Sequence, residues 1–326
     1  MTATSSVVAG EDGVWLTDLA ATPRLNRAMR DWTRSFFTAL NGYGIDAVAA
    51  FSTELKDGDT SVDAGIAQRG PDGDPILLPT PSLQTNFSPT STAFWRQVHA
   101  DCAAVMSDAG IQPYLQMGEV QWWYFPNDGT DPPDRPPYSG MPYYDDYTTT
   151  QFEATYGRPM HVFLDNTADP ADFPDEANFL ASLLGAYTDN IIAYVLTSHP
   201  TARFEVLYPF DVNQSSFNKA VNFPASSWTP ATLTCLKTEG LGFTFTKRLD
   251  ASEEGIDLGA VLGFPAAQRS HLVGLGDSTA SWLKEARIAS GKGFESVVLF
   301  ALDQFCLIGY PVPMPASPRR AIRFRP

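Results

Sequence analysis

Basic residues and cysteines are scarce in this chain, and each scarcity excludes a class of function. Only 22 Lys plus Arg stand against 37 Asp plus Glu in 326 residues, a net charge of −15. A field of that sign repels phosphate backbones, so nucleic acid is not an expected partner. Cys102, Cys235 and Cys306 are odd in number and widely spaced, which suits neither a disulfide framework nor a metal site. Three reduced, mostly buried thiols are the plain expectation. No H-E-x-x-H, Cys/His cluster or EF-hand loop occurs, so no metal is expected. There is no P-loop, no G-x-G-x-x-G after a strand and no G-x-S-x-G, so neither a nucleotide cofactor nor a serine nucleophile is expected. The opening residues lack a basic and an apolar segment of the secretory kind, and no run approaches 18 apolar residues. The expectation is a cytoplasmic chain without a membrane partner, with export by another route left open.

What is present is enough apolar sequence for a large core, 44% of the chain, punctuated by Gly and Pro between periodic segments. A short strand at 14–18 precedes a helix carrying Leu25, Met29, Trp32, Phe36 and Leu40 at helical spacing. An apolar run at 46–55 closes on Glu54. Residues 56–90 read as a long polar loop with a hairpin around "RGPDGDPILL". Ser91 or Thr92 can cap the helix "AFWRQVHADCAAVMSDAG", whose Phe94, Val98, Cys102 and Val105 share a face. "QPYLQMGEV" then reads as a strand. The Pro-rich stretch 126–148 is too irregular for an element and reads as a lid or binding loop. "PMHVFLDN", "ARFEVLYPFD", "LGFTFTKRL", "RSHLVGLG" and "ESVVLFALDQF" read as strands, with helices at "DEANFLASLLGAYTDNIIAYVLTSHP" and "STASWLKEARIASGKG".

Alternating mostly apolar strands and helices indicate an α/β fold with a parallel sheet under helices. About eight strands in one chain of this length suit a single (β/α)8 TIM-type barrel over 1–326 whose first elements are altered or missing. A doubly wound open sheet is the alternative. Residues 312–326 read as an extended tail whose Arg319, Arg320, Arg323 and Arg325 are either solvated or a contact to a partner domain or a homo-oligomer.

In a barrel the loops after the strands build the site, so acids at strand ends draw the eye. Glu54, Glu119, Asp211 and Asp303 hold such positions, and Glu205 lies within a strand. Glu119 is the sharpest, in "YLQMGEVQWWYFPNDG". Gly118 removes a side chain beside it, and Trp122, Trp123, Tyr124 and Phe125 follow. Some of these rings are expected to line a cleft, where flat faces stack on sugars and dryness raises a carboxyl pKa toward that of a general acid. The alternative is an aromatic core patch beside a solvated Glu. Glycosidic chemistry wants a second carboxylate. Glu205 is the first candidate, either pointing into the barrel or paired with a cation such as Arg203; Asp303 and Asp211 follow. Tyr144, Asp145, Asp146, Tyr208, His271 and Gln304, with Asn86 and Asn213, are candidate hydroxyl partners, and Glu54 joins the substrate-binding set.

An acid at a strand end followed by aromatics resembles the large clan of retaining (β/α)8 glycoside hydrolases. In that clan the acid/base follows strand 4 and the nucleophile ends strand 7. The resemblance implies Glu119 in "GEVQWW" as acid/base and Glu205 in "RFEVLY" as nucleophile, acting on a carbohydrate. Gly118 stands where that clan usually has Asn. The chain is also similar to TIM-barrel-like modules of phage-tail-type and other bacterial proteins, which implies a non-catalytic carbohydrate-binding or structural barrel of a larger assembly as the alternative.

Overall fold

The computed structural model describes residues 7–10, 13–78, 82–124, 139–274 and 282–302. Strands β1 (Val7–Ala9) and β2 (Trp15–Thr17) form a small antiparallel ribbon outside the main sheet. Helix α1 (Arg27–Gly42), capped by Asn26, leads to β3 (Ala49–Phe51). The segment expected as a polar loop instead folds on itself. Strands β4 (Glu54–Lys56) and β5 (Ser82–Gln84) pair antiparallel, and bridges Arg69–Pro75 and Leu77–Leu83 make the expected turn around Gly70–Asp74. Ile66, Ala67, Ile76 and Leu83 are buried there, apolar residues scattered among the polar letters.

Helix α2 (Pro89–Asp108) is capped by Ser88 rather than Ser91 or Thr92. Pro89 takes the first helical position, where its missing N–H is no loss, which moves the start upstream. Strand β6 (Tyr114–Gly118), helices α3 (Asp146–Tyr156) and α4 (Pro174–Ser198), strand β7 (Arg203–Pro209) and helix α5 (Ser216–Asn222) follow. Next come β8 (Cys235–Glu239), α6 (Leu241–Phe245), α7 (Leu249–Val261), β9 (Arg269–Gly274), α8 (Trp282–Gly291) and β10 (Ser296–Phe300). "PMHVFLDN" forms no strand, leaving Val162 and Leu164 exposed. "LGFTFTKRL" is helical at its start, and the strand lies just before it, at 235–239. Helix α4 is apolar and 25 residues long, enough to cross a membrane by length and composition. Here it buries Leu180, Leu184, Ile191 and Val195 in the core.

Six parallel strands lie in the order β3-β6-β7-β8-β9-β10, each adding beside its predecessor. That winding is the one a (β/α)8 barrel uses, and the described strands form a curled half-barrel flanked by helices. Glu295, just before β10, shows the curl. It accepts from the Tyr114 hydroxyl of β6 at 3.0 Å and pairs with Arg203 of β7, reaching across the concave side. Both edge strands line one cavity of about 630 Å³, with Ala50 on one side and Val298 and Phe300 on the other.

The convex face carries the apolar core, where Leu115, Met117, Phe204, Val206 and Leu236 meet the helices. The concave face alternates with it and mixes polar side chains with Leu207, Leu272 and Val298. Lys237 of β8 donates to Gln116 Oε1 of β6 at 2.7 Å and pairs with Glu205 of β7, tying three neighbouring strands. All three side chains are buried. Removing one partner of such a pair strands a charge, which costs about 3–5 kcal/mol. Lys237→Ala should therefore lower unfolding free energy by about that amount, whereas Glu205→Leu with Lys237→Leu should cost far less. Urea unfolding of the two variants checks this.

Candidate active site

The carboxyl-terminal rim of the sheet gathers the acids. Glu119 is the first residue after β6, Asp211 the second after β7, and Glu239 the last of β8. Because β6, β7 and β8 are consecutive and parallel, their ends share one rim. The backbone ties them further, since Phe210 N donates to Glu239 O at 2.8 Å. Glu119 and Glu239 meet directly in a side-chain hydrogen bond. Glu119, Glu239, Leu207, Leu241 and Leu272 all border the cavity on the concave side.

Burial drives the electrostatics. Desolvation pushes Glu119 up to about 7, helped by the Glu54 carboxyl. Desolvation pushes Glu239 up to about 9, helped by Glu119 and Asp211 and opposed by Lys237. Glu239 donates and Glu119 accepts, so the pair titrates as a unit that holds a single proton between about pH 7 and pH 9. Glu54 and Asp211 are also raised, mainly by burial. Asp211 is further pinned by Gly242 N at 2.7 Å, which fastens the end of β7 to the start of α6.

Glu119 adopts φ +49°, left-handed backbone that a side-chain-bearing residue rarely takes. A Cβ on Gly118 would lie 3.2 Å from Gln116 Nε2 and 3.5 Å from Phe51 O. Gly118 thus makes room for the amide that holds Lys237.

The other residues singled out from sequence are spread through the fold. Glu205 is mid-strand and committed to Lys237, while Arg203 pairs with Glu295. Trp122 is in the core, edge-on to Phe87 and Tyr143, with its indole donating to Leu180 O at 3.1 Å. Trp123 and Tyr124 are half-buried. Tyr208 points to the helices, against Phe223. His271 does the same, its Nε2 2.8 Å from Glu285 and its Nδ1 3.0 Å from the Thr238 hydroxyl. The alternation of each strand decides these outward positions. Asp145 caps α3, accepting from Thr148 N and from Asn86 at 2.8 Å, and Asp146 follows in the first turn, exposed. Tyr144 is held by its hydroxyl between His161 O and Phe163 N. Asn213 lies in a buried amide chain beneath the rim. Asp303, Gln304, Phe125, residues 126–138 and the tail lie outside the described residues.

Glu239 was missed because its strand, "CLKTE", carries two charges in five residues and lacks the apolar run that marks the other strands. The available signal was its ending. "TEG" repeats, with Gly after rather than before the acid, the strand-end acid beside Gly seen at Gly118–Glu119. Among the described residues no group of three or more His, Cys, Asp or Glu is arranged to hold a metal ion.

The family model of the non-contractile tail sheath protein TIM barrel matches residues 6–310. Among solved structures, the PgaB (BpsB) glycoside hydrolase domain from Bordetella bronchiseptica is 9% identical, with a TM-score of 0.55 over 81% of this chain and 72% of that one. The agarase AgWH50C is 10% identical at a TM-score of 0.45, over 84% of this chain and 43% of its own. Ega3 from Aspergillus fumigatus, in complex with galactosamine, is 12% identical at 0.39, over 91% and 88%. At such identity the first likeness shows a shared fold and carries no chemistry across. No curated protein matches the chain.

Two outcomes follow from the rim. Glu239 loses its proton near pH 4.5 when unfolded and near pH 9 when folded, so folding stability declines as pH rises through that window. Glu239→Gln stays neutral throughout, and its melting temperature should gain on the parent by at least about 2 °C between about pH 5 and pH 9. Glu119→Gly removes both the left-handed strain and a desolvated carboxyl, and should stabilise the fold by about 1 kcal/mol or more. Denaturant unfolding reads the second effect.

Proposed function

This chain belongs to the non-contractile tail sheath protein TIM-barrel family, and on that premise we propose that it is a barrel module of a tail-type assembly that hydrolyses glycosidic bonds. The observation that carries this reading is the hydrogen-bonded Glu119–Glu239 pair at the rim of the concave cavity. Barrel sites sit at this rim, and glycoside hydrolysis needs two carboxyls that differ by one proton.

The roles follow from where the proton lies. Glu239 carries it and is the general acid that protonates the leaving oxygen. Glu119, ionised, attacks the anomeric carbon. Carboxyls near enough to share a hydrogen bond suit the short separation of a retaining pair, about 5 Å, better than the roughly 6.5–9.5 Å of an inverting one. Water then hydrolyses the glycosyl–Glu119 ester, and Glu239 takes the water's proton back. Glu54 and Asp211, whose carboxyls act on the pair, are the groups we assign to sugar hydroxyls. This assignment reverses the acid/base role that the clan resemblance implies for Glu119.

A second reading, a barrel that only binds glycans or builds the sheath, is favoured by the family's own description. Hydrolysis of a panel of bacterial surface polysaccharides and labelled oligosaccharides separates the two. The hydrolase reading expects kcat/KM to peak between about pH 7 and pH 9. Glu119→Gln and Glu239→Gln should each lower kcat by about 10²–10⁴-fold, with net retention seen by NMR of the first-formed product. Binding without turnover, unchanged in both variants, would establish the structural reading instead.

A further inference from the structure

We propose that Asn222 is a positioning residue for the Glu119–Glu239 pair, acting through the backbone of the loop that carries Glu119. The inference rests on that pair being the working site.

Glu119 stands at the end of β6 in a conformation its neighbours must enforce, yet no helix or sheet ladder holds residues 119–124. Side-chain amides do so instead. Asn222, the last residue of α5, treats Trp122 as a strand partner would. Its Oδ1 accepts from Trp122 N at 2.7 Å, and its Nδ2 donates to Trp122 O at 3.3 Å. The same Nδ2 donates to Asn213 Oδ1 at 2.8 Å. Asn213 then donates to Gln121 Oε1 at 2.7 Å and to Pro209 O at 2.8 Å, reaching the end of β7. From the opposite side Gln68 donates to Gln121 O at 2.9 Å and accepts from Trp123 N at 3.1 Å.

Three successive residues, Gln121 to Trp123, are thus gripped by amides that are all buried. Buried polar chains of this kind are tolerated only when satisfied, and once satisfied they fix one arrangement. Asn222 is the member that both clamps Trp122 and starts the chain toward β7. Removing it frees the segment three residues beyond Glu119 and loosens its tie to the Asp211 loop. The groups facing the pair are Glu54, Asp211 and Lys237, and none of them is touched by the change.

The test is a carbon-detected NMR titration of the Glu119 and Glu239 carboxyls in the full chain without substrate. Asn222→Ala should move the Glu119 titration back toward the ordinary carboxylate range by about one pH unit or more. Thr188→Val deletes a comparable buried contact, the 3.0 Å bond from the Trp228 indole, and should leave both titrations in place. If Asn222→Ala does not fold, Asn213→Ser cuts the same chain one step away and should give the same displacement. A folded Asn222→Ala that titrates like the parent overturns the proposal, as does an equal displacement in Thr188→Val. The titration reads the pair without turnover. A parent that cleaves no glycan while Asn222→Ala shifts the pair defeats the hydrolase reading and supports the positioning role. A parent that cleaves, with Asn222→Ala unchanged in kcat and pH profile, defeats the positioning role alone.

Discussion

The ammonium of Lys237, buried on the concave side of the sheet, is the interaction on which the rest of the structure depends. A parallel sheet under helices ordinarily hides apolar side chains on both faces. This one holds Glu205, Gln116 and Lys237 in one linked set across β7, β6 and β8. The set neutralises itself, so the strands can curl around a cavity rather than a packed interior. It also fixes the register that brings the ends of β6 and β8 to one rim.

That rim has the opposite balance. Glu54, Glu119, Asp211 and Glu239 approach one another away from water, and Lys237 is the cation among the described residues that opposes the rise at Glu239. Burial then forces the acids to keep a proton between them, since two adjacent desolvated carboxylates repel too strongly to ionise together. The ion pair below and the proton-sharing pair above are two answers to the same problem of placing charge in a dry lumen. One spends the charge on strand alignment. The other leaves it unresolved, and an unresolved pair at a cavity mouth is suited to chemistry.

The turn at Glu119 is a second point where stability yields. Its left-handed backbone and buried carboxyl both cost free energy, and an amide lattice from Gln68, Asn213 and Asn222 holds the following residues in place. The burst of aromatics after it serves packing at Trp122, whose ring fills the core between Phe87 and Tyr143. Among the described rings of the burst, Trp123 and Tyr124 are part-exposed.

The amino-acid sequence by itself determined the class of fold and the position of Glu119. Apolar runs such as "ARFEVLYPFD" and long helical patterns such as α4 announce themselves through local periodicity, which needs no knowledge of neighbours. The partner of Glu119 was decided only by tertiary structure. In "CLKTE" the lysine looks like a break until Glu205 and Gln116, 32 and 121 residues away in sequence, arrive to satisfy it. In "RFEVLY" the glutamate looks reactive until the same lysine claims it. His271 and Tyr208 face helices because alternation fixes their side once the register is set, and register is a property of paired strands. Which acids meet, and which are neutralised, depends on long-range pairing that no single segment encodes.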